Sequence, residues 1–225
     1  MTGRQYLGRM YKMSELTAID ILVNPDETTM DRARALNAKL RENYPEGYEL
    51  DESHQPHITT LQRYVRTADL PKVYNVVQEL INSTVMSKII FHVFAIKHQD
   101  GCAEPGVGYA GFIAKPSDEA LEYQAKLIEA VAPFTESGGN GGAFVQNEDG
   151  SPINQTTLGW VENYVPANSG ANFIPHISCG FALDAYLHGL EAEPFDTFDV
   201  QPASVSVYHL GNNGNAREEL KHFDI

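Results

Sequence analysis

Two short segments of this chain nearly coincide: Pro-His-Ile-Thr at Pro56–Thr59 and Pro-His-Ile-Ser at Pro175–Ser178. In a β-strand, residues i and i+2 point to the same face. His57 with Thr59, and His176 with Ser178, therefore each set an imidazole beside a hydroxyl. Proline is tolerated at strand starts and edges, so Pro56 and Pro175 mark where each segment enters its sheet. Such a repeat demands two equivalent strands, and two equivalent strands imply two related lobes. If both pairs face one cleft, that cleft holds a general base, a general acid and two hydroxyls.

The remaining pattern agrees with an α+β fold. Leu16–Val23 reads as a buried strand, and Asp26 or Thr28 is placed to cap a helix running to about Asn43. Pro56–Val65 is the first histidine strand. Asp69-Leu-Pro71 opens a second helix, with proline where its missing N–H does no harm. Strands over Lys88–Lys97 and Gly106–Ala114 flank a linker of turn formers, and Pro116-Ser-Asp-Glu starts a third helix. Ser137–Gly142 reads as a flexible glycine-rich loop, placed to cover the cleft. Thr156–Tyr164 and Leu183–Leu190 read as short helices, and Phe173–Phe181 as the second histidine strand. One or two strands follow over Phe195–Leu210, then a turn and a terminal segment. The expected architecture is two pseudo-symmetric lobes, one in each half of the chain. Each is an antiparallel or mixed sheet with helices packed outside, and a central groove lies between them. Residues 1–14 are set aside as an N-terminal extension, leaving 15–225 as a single bilobal domain.

Charge narrows the ligand. The 30 acidic residues outnumber the 16 basic ones, for a formal charge of -14. A protein coating long nucleic acid needs many phosphate-contacting Lys and Arg. A small nucleotide or an RNA end, held by imidazoles, hydroxyls and one or two local cations, remains compatible. Two cysteines, Cys102 and Cys179, are too few for a disulfide framework and fit a reducing, cytoplasmic setting. No apolar run has the length of a membrane span, so no membrane partner is expected. By strand alternation, Cys179 points away from His176 and Ser178 and reads as a core residue.

The two motifs, His57-Ile-Thr59 and His176-Ile-Ser178, give the chain its resemblance to the two-histidine (2H) phosphoesterase superfamily. That group includes bacterial 2',5' RNA ligase-like proteins and cyclic phosphodiesterases. The segment Val207-Tyr-His-Leu-Gly-Asn-Asn-Gly-Asn-Ala216 is similar to the closing strand and turn of some members. The resemblance spans Leu16 to about Leu220. It departs at Thr60, where an apolar residue is usual, and at Ser178, where threonine is commoner. It implies catalysis by His57 and His176 as acid and base on a 2',3'-cyclic phosphate or a 2'-5' linkage. Thr59 and Ser178 would hold the phosphoryl oxygens, with no metal and no other cofactor. A non-catalytic nucleotide or RNA-end binding module, and RNA 2'-5' ligation by the reverse reaction, are the alternatives.

Around the motifs, Arg63 has the parity of His57 and Thr59, and a strand places it roughly 20 Å from His57. Arg63, Tyr208 and Phe181 are candidate substrate contacts, and Tyr64 and Tyr109 are further candidates for stacking on a base. His54 and His57 fall on opposite faces of a strand, which argues against joint metal ligation.

Overall fold

The computed structural model describes residues 15–51 and 54–225; the extension expected at 1–14 lies outside them. Its eight strands form two four-stranded antiparallel sheets. The first holds β1 (Leu16–Pro25), β2 (Ile58–Arg66), β7 (Pro202–Leu210) and β8 (Ala216–Asp224), in the order β2-β1-β7-β8. The second holds β3 (Phe91–Glu104), β4 (Val107–Pro116), β5 (His176–Leu183) and β6 (Phe198–Val200), in the order β5-β4-β3-β6. Among the described residues, five α-helices accompany the sheets: α1 (Glu27–Asn43), α2 (Leu70–Ser83), α3 (Asp118–Val131), α4 (Gln155–Asn168) and α5 (Asp184–Glu191).

Local signals set the helix starts. Asp26 accepts a hydrogen bond from the Thr29 N–H and caps α1. Ser117 does the same for α3 through the Ala120 N–H, and Asn154 for α4 through the Thr157 N–H. In α2 the buried positions Val73, Val77, Leu80 and Ile81 form one stripe at helical spacing. One core runs through both lobes, joining Ile19, Ile21 and Val23 of β1 to Phe112 and Ala114 of β4. A smaller cluster of Ala18, Tyr64, Phe144, Ile153, Val161 and Leu210 packs elsewhere.

Three expectations change. The lobes are not the two halves of the chain, because the C-terminal strands β7 and β8 return to pair beside β1. The linker expected at Gln99–Gly106 is mostly strand: β3 and β4 form one long hairpin, closed at Pro105-Gly106 with Gly106 at φ +87°. The glycine-rich loop does not hang free. Gly138 N–H donates to Glu162, Val145 N–H donates to the Leu210 carbonyl, and Gly139 lies flat on the Tyr64 ring. A Cβ at Gly139 would fall 2.3 Å from that ring, so only glycine permits this approach.

The edge strands β2 and β5 carry the motifs, and each holds a one-residue bulge at the same offset. In β2, Leu61 pairs with Ile21 and Thr59 with Leu22, leaving Thr60 as the extra residue. In β5, Gly180 pairs with Ala110 and Ser178 with Gly111, leaving Cys179 extra. Each bulge immediately follows the motif hydroxyl and frees a carbonyl from the ladder. A buried side-chain amide satisfies that carbonyl in both cases. Asn37 of α1 donates to the Cys179 carbonyl at 2.8 Å, and Gln124 of α3 donates to the Thr60 carbonyl at 3.1 Å.

The symmetry goes further. Asn37 also donates to the Tyr48 carbonyl and accepts from Leu50 N–H. Gln124 donates to the Asn168 carbonyl and accepts from Gly170 N–H. Each amide thus ties the segment preceding one motif to the bulge of the other. The helices are exchanged: α1 follows a strand of the first sheet and packs on β5, whereas α3 follows a strand of the second and touches β2.

Candidate active site

The histidines are anchored alike. His57 Nδ1 lies 2.8 Å from the Gln55 carbonyl, and His176 Nδ1 lies 3.2 Å from the Ile174 carbonyl. A carbonyl only accepts, so Nδ1 carries the proton in both rings and Nε2 is left for a substrate. In each case the anchor is the residue two positions upstream, just before the motif proline. The rings are close enough to interact electrostatically. His176 is held below the usual histidine range, first by the protein crowding it and then by the charge of His57; the Ile174 hydrogen bond opposes this. The side chain still reaches solvent at the groove mouth, so water moderates that shift.

The two hydroxyls are supported differently. Thr59 Oγ1 donates to Asp20 Oδ2 at 2.8 Å, and Gln62 Nε2 donates to the same oxygen at 3.0 Å. Asp20 is fully buried on β1, and its second oxygen, Oδ1, has no hydrogen-bond partner. Burial pushes its carboxyl above the usual range, against the opposing influence of His57 and the bonds from Gln62 and Thr59. Across the groove, the Tyr109 hydroxyl donates to Ser178 Oγ at 2.5 Å. Burial raises the Tyr109 phenol, so it stays protonated. Ser178 consequently accepts from behind and keeps its own proton for the groove, while the Thr59 proton is engaged by Asp20.

The bulges decide the candidate substrate contacts. Because the side-chain period is two, one extra residue reverses parity beyond it. Arg63 therefore leaves the face of Thr59, correcting the expectation from strict alternation. It lies on the side of Leu61 and Val65 and donates to Thr135 Oγ1 at 3.3 Å. The same slip keeps Phe181 on the Ser178 side, since their partners Tyr109 and Gly111 share a face. Phe181 packs edge-on to Tyr48 and Tyr109, with centroids 5.4 and 6.1 Å away. Tyr208 lines a cleft of about 140 Å³ beside His57, together with Leu22, Asn24, Gln55, Arg217 and Glu219. Burial pushes the Tyr208 phenol up to about 12. Tyr64 is occupied by Gly139 and Phe144, and its hydroxyl donates to the Leu158 carbonyl. Cys179 is buried in the core, as alternation implied.

Asp20, Tyr109 as a support for Ser178, and Arg217 escaped the sequence reading. Asp20 sits in an apolar strand, where a lone carboxylate on the groove face was the available signal. Arg217 directly follows the segment ending at Ala216; it pairs with Glu148 and reaches the cleft of His57. A larger cavity of about 540 Å³ shares Arg217 with this cleft and is otherwise lined mainly by Asn, Gln and acidic residues. It contains neither motif histidine, so the smaller cleft is the one beside the candidate chemistry. Among the described residues, no helix is long and apolar enough to cross a membrane.

No family model matches the chain, and no curated protein matches it. Two solved structures of Kluyveromyces marxianus Usb1, one with uridine monophosphate, align with 94% of this chain and 99% of theirs. The identity is 10% and the TM-score 0.42. A likeness at this level leaves function to be argued from the chain's own residues.

Proposed function

We propose that residues 15–225 act as one bilobal, metal-independent phosphodiesterase. It cleaves 2',3'-cyclic phosphates or 2'-5' linkages of RNA ends or small nucleotides. The observation that carries this reading is the matched anchoring of His57 and His176. Both rings are fixed through Nδ1 with Nε2 free, and each adjoins a hydroxyl on its own edge strand.

The depressed pKa of His176 favours it as the base, because a base must start neutral. Its Nε2 takes a proton from water as the water oxygen attacks phosphorus. The phosphorus–ribose oxygen bond opposite breaks, and His57 Nε2–H donates its proton to the departing oxygen. A phosphomonoester results, and solvent exchange restores both rings. Ser178 donates to a non-bridging oxygen while Tyr109 holds it in place. Thr59 gains the same ability when Asp20 is protonated and becomes the donor in their shared hydrogen bond. Arg217 supplies the nearby cation, and Tyr208 and Phe181 supply faces for a base.

The test is turnover of a panel in excess EDTA: 2',3'-cyclic nucleotides, 2'-5' dinucleotides and an RNA with a cyclic phosphate end. Hydrolysis of at least one, lowered about 100-fold or more by His57→Ala and by His176→Ala, is expected. Absence of turnover across the panel, or full activity in both variants, would sink the reading.

A further inference from the structure

A second cluster of titratable side chains lies away from the groove. His98 on β3 pairs with Ala110, whose side chain is in the core, whereas the neighbouring Tyr109 reaches Ser178. His98 therefore occupies the face of the second sheet opposite the motif hydroxyl, beneath α5. His98 Nε2 lies 3.3 Å from Asp100 Oδ1, and His188 Nε2 on α5 lies 3.2 Å from Asp100 Oδ2. One ligand atom from each of the three residues falls within 4.8 Å of the other two.

The other nitrogen of His98 is already committed. Its Nδ1 is 2.5 Å from Glu191 Oε2, and Lys97 Nζ holds the remaining Glu191 oxygen at 2.5 Å. A carboxylate only accepts, so Nδ1 presents a proton to Glu191 while Nε2 faces Asp100. Nε2 meets that carboxylate either through a second ring proton or, with its lone pair, through a metal ion held between them. A carboxylate behind a histidine, orienting it for a metal, is the recurrent supporting arrangement of metal sites.

We propose that His98, Asp100 and His188 bind one divalent transition-metal ion of the zinc class, with Glu191 as the orienting carboxylate. Bonds of about 2.0–2.1 Å in a tetrahedron place ligand atoms roughly 3.3–3.4 Å apart, and each imidazole already meets one of the two Asp100 oxygens near that spacing. Two imidazoles and one carboxylate suit zinc, cobalt or nickel, whereas calcium and magnesium prefer oxygen ligands throughout. Asp100 and His188 are about half exposed, so water completes the coordination. The ion joins the β3–β4 hairpin to α5 and takes no part in the groove chemistry. The sequence reading assigned no metal because these residues come from a strand and a helix; His98 and Glu191 are 93 positions apart.

The test is titration of the metal-stripped full chain with Zn²⁺ at neutral pH, followed calorimetrically, with Co²⁺ absorption as a report on coordination. One ion per chain and a rise in Tm are expected. His188→Gln and Asp100→Asn, at exposed positions, should weaken binding at least 10-fold, and Glu191→Gln about 10-fold. His57→Ala should bind as the parent does. No binding to the parent chain would overturn the proposal. So would binding untouched by His188→Gln and Asp100→Asn, or binding lost in His57→Ala, which would place the ion in the groove.

Discussion

Replacing Asn37 by leucine, which nearly conserves volume, tests whether the exchanged amides hold the two motif strands in place. Asn37 is 3% exposed and makes three hydrogen bonds, to the Tyr48 and Cys179 carbonyls and from Leu50 N–H. Those to Cys179 and Leu50 are buried, so Asn37→Leu strands two interior backbone groups, at about 1–3 kcal/mol each. The bond to Tyr48 is partly buried, and water replaces it at little cost. A loss of about 2–6 kcal/mol follows. For Gln124→Met one of the three bonds is fully buried, the one to Thr60, and about 1–3 kcal/mol follows on the same reasoning. Urea unfolding of both variants measures these losses, with unchanged m-values showing that the denatured states are comparable. Turnover under conditions where both stay folded should fall through kcat more than KM, because each amide supports the bulge beside a reacting group. A 1 Å displacement there costs about 100-fold. Losses below about 1 kcal/mol in both variants, or a kcat equal to the parent's, would refute the claim that these amides set the geometry of the histidine pair.

Other perturbations address single groups. Activity against pH should be bell-shaped; its acidic limb, belonging to His176 as base, should lie below histidine's usual 6.5 and vanish in His176→Ala. Survival of that limb in His176→Ala would reverse the assignment. Ser178→Ala should cost about 2–4 kcal/mol of transition-state stabilisation. Tyr109→Phe should cost less and add nothing on top of Ser178→Ala, because it acts through that hydroxyl; additive losses in kinetic double-mutant cycles would contradict this. Asp20 has a raised folded-state pKa, so its contribution to stability is full below the unfolded value near 3.8 and is lost as pH rises through the folded value. Asp20→Asn should therefore gain on the parent in thermal stability as pH is raised from 4 to 7. A stability difference that shrinks over that range would disprove the burial argument.

Much of the architecture follows from local chemistry and was legible in the chain. The repeated Pro-His-Ile-[Thr/Ser] marks two equivalent strands, and capping by Asp26 and Ser117 marks where α1 and α3 begin. These signals involve residues within a few positions of one another, so periodicity and caps reveal them. Tertiary structure decided the rest, through partners distant in sequence. The bulges at Thr60 and Cys179 exist because Gln124 and Asn37 satisfy the carbonyls they free; by reversing parity they move Arg63 off the site and keep Phe181 on it. Asp20 meets Thr59 only across the β1–β2 ladder, and Tyr109 meets Ser178 only across β4–β5. The chain order likewise hides that β7 and β8 complete the first sheet, because strand pairing depends on which edges the folded core leaves open rather than on nearness in sequence.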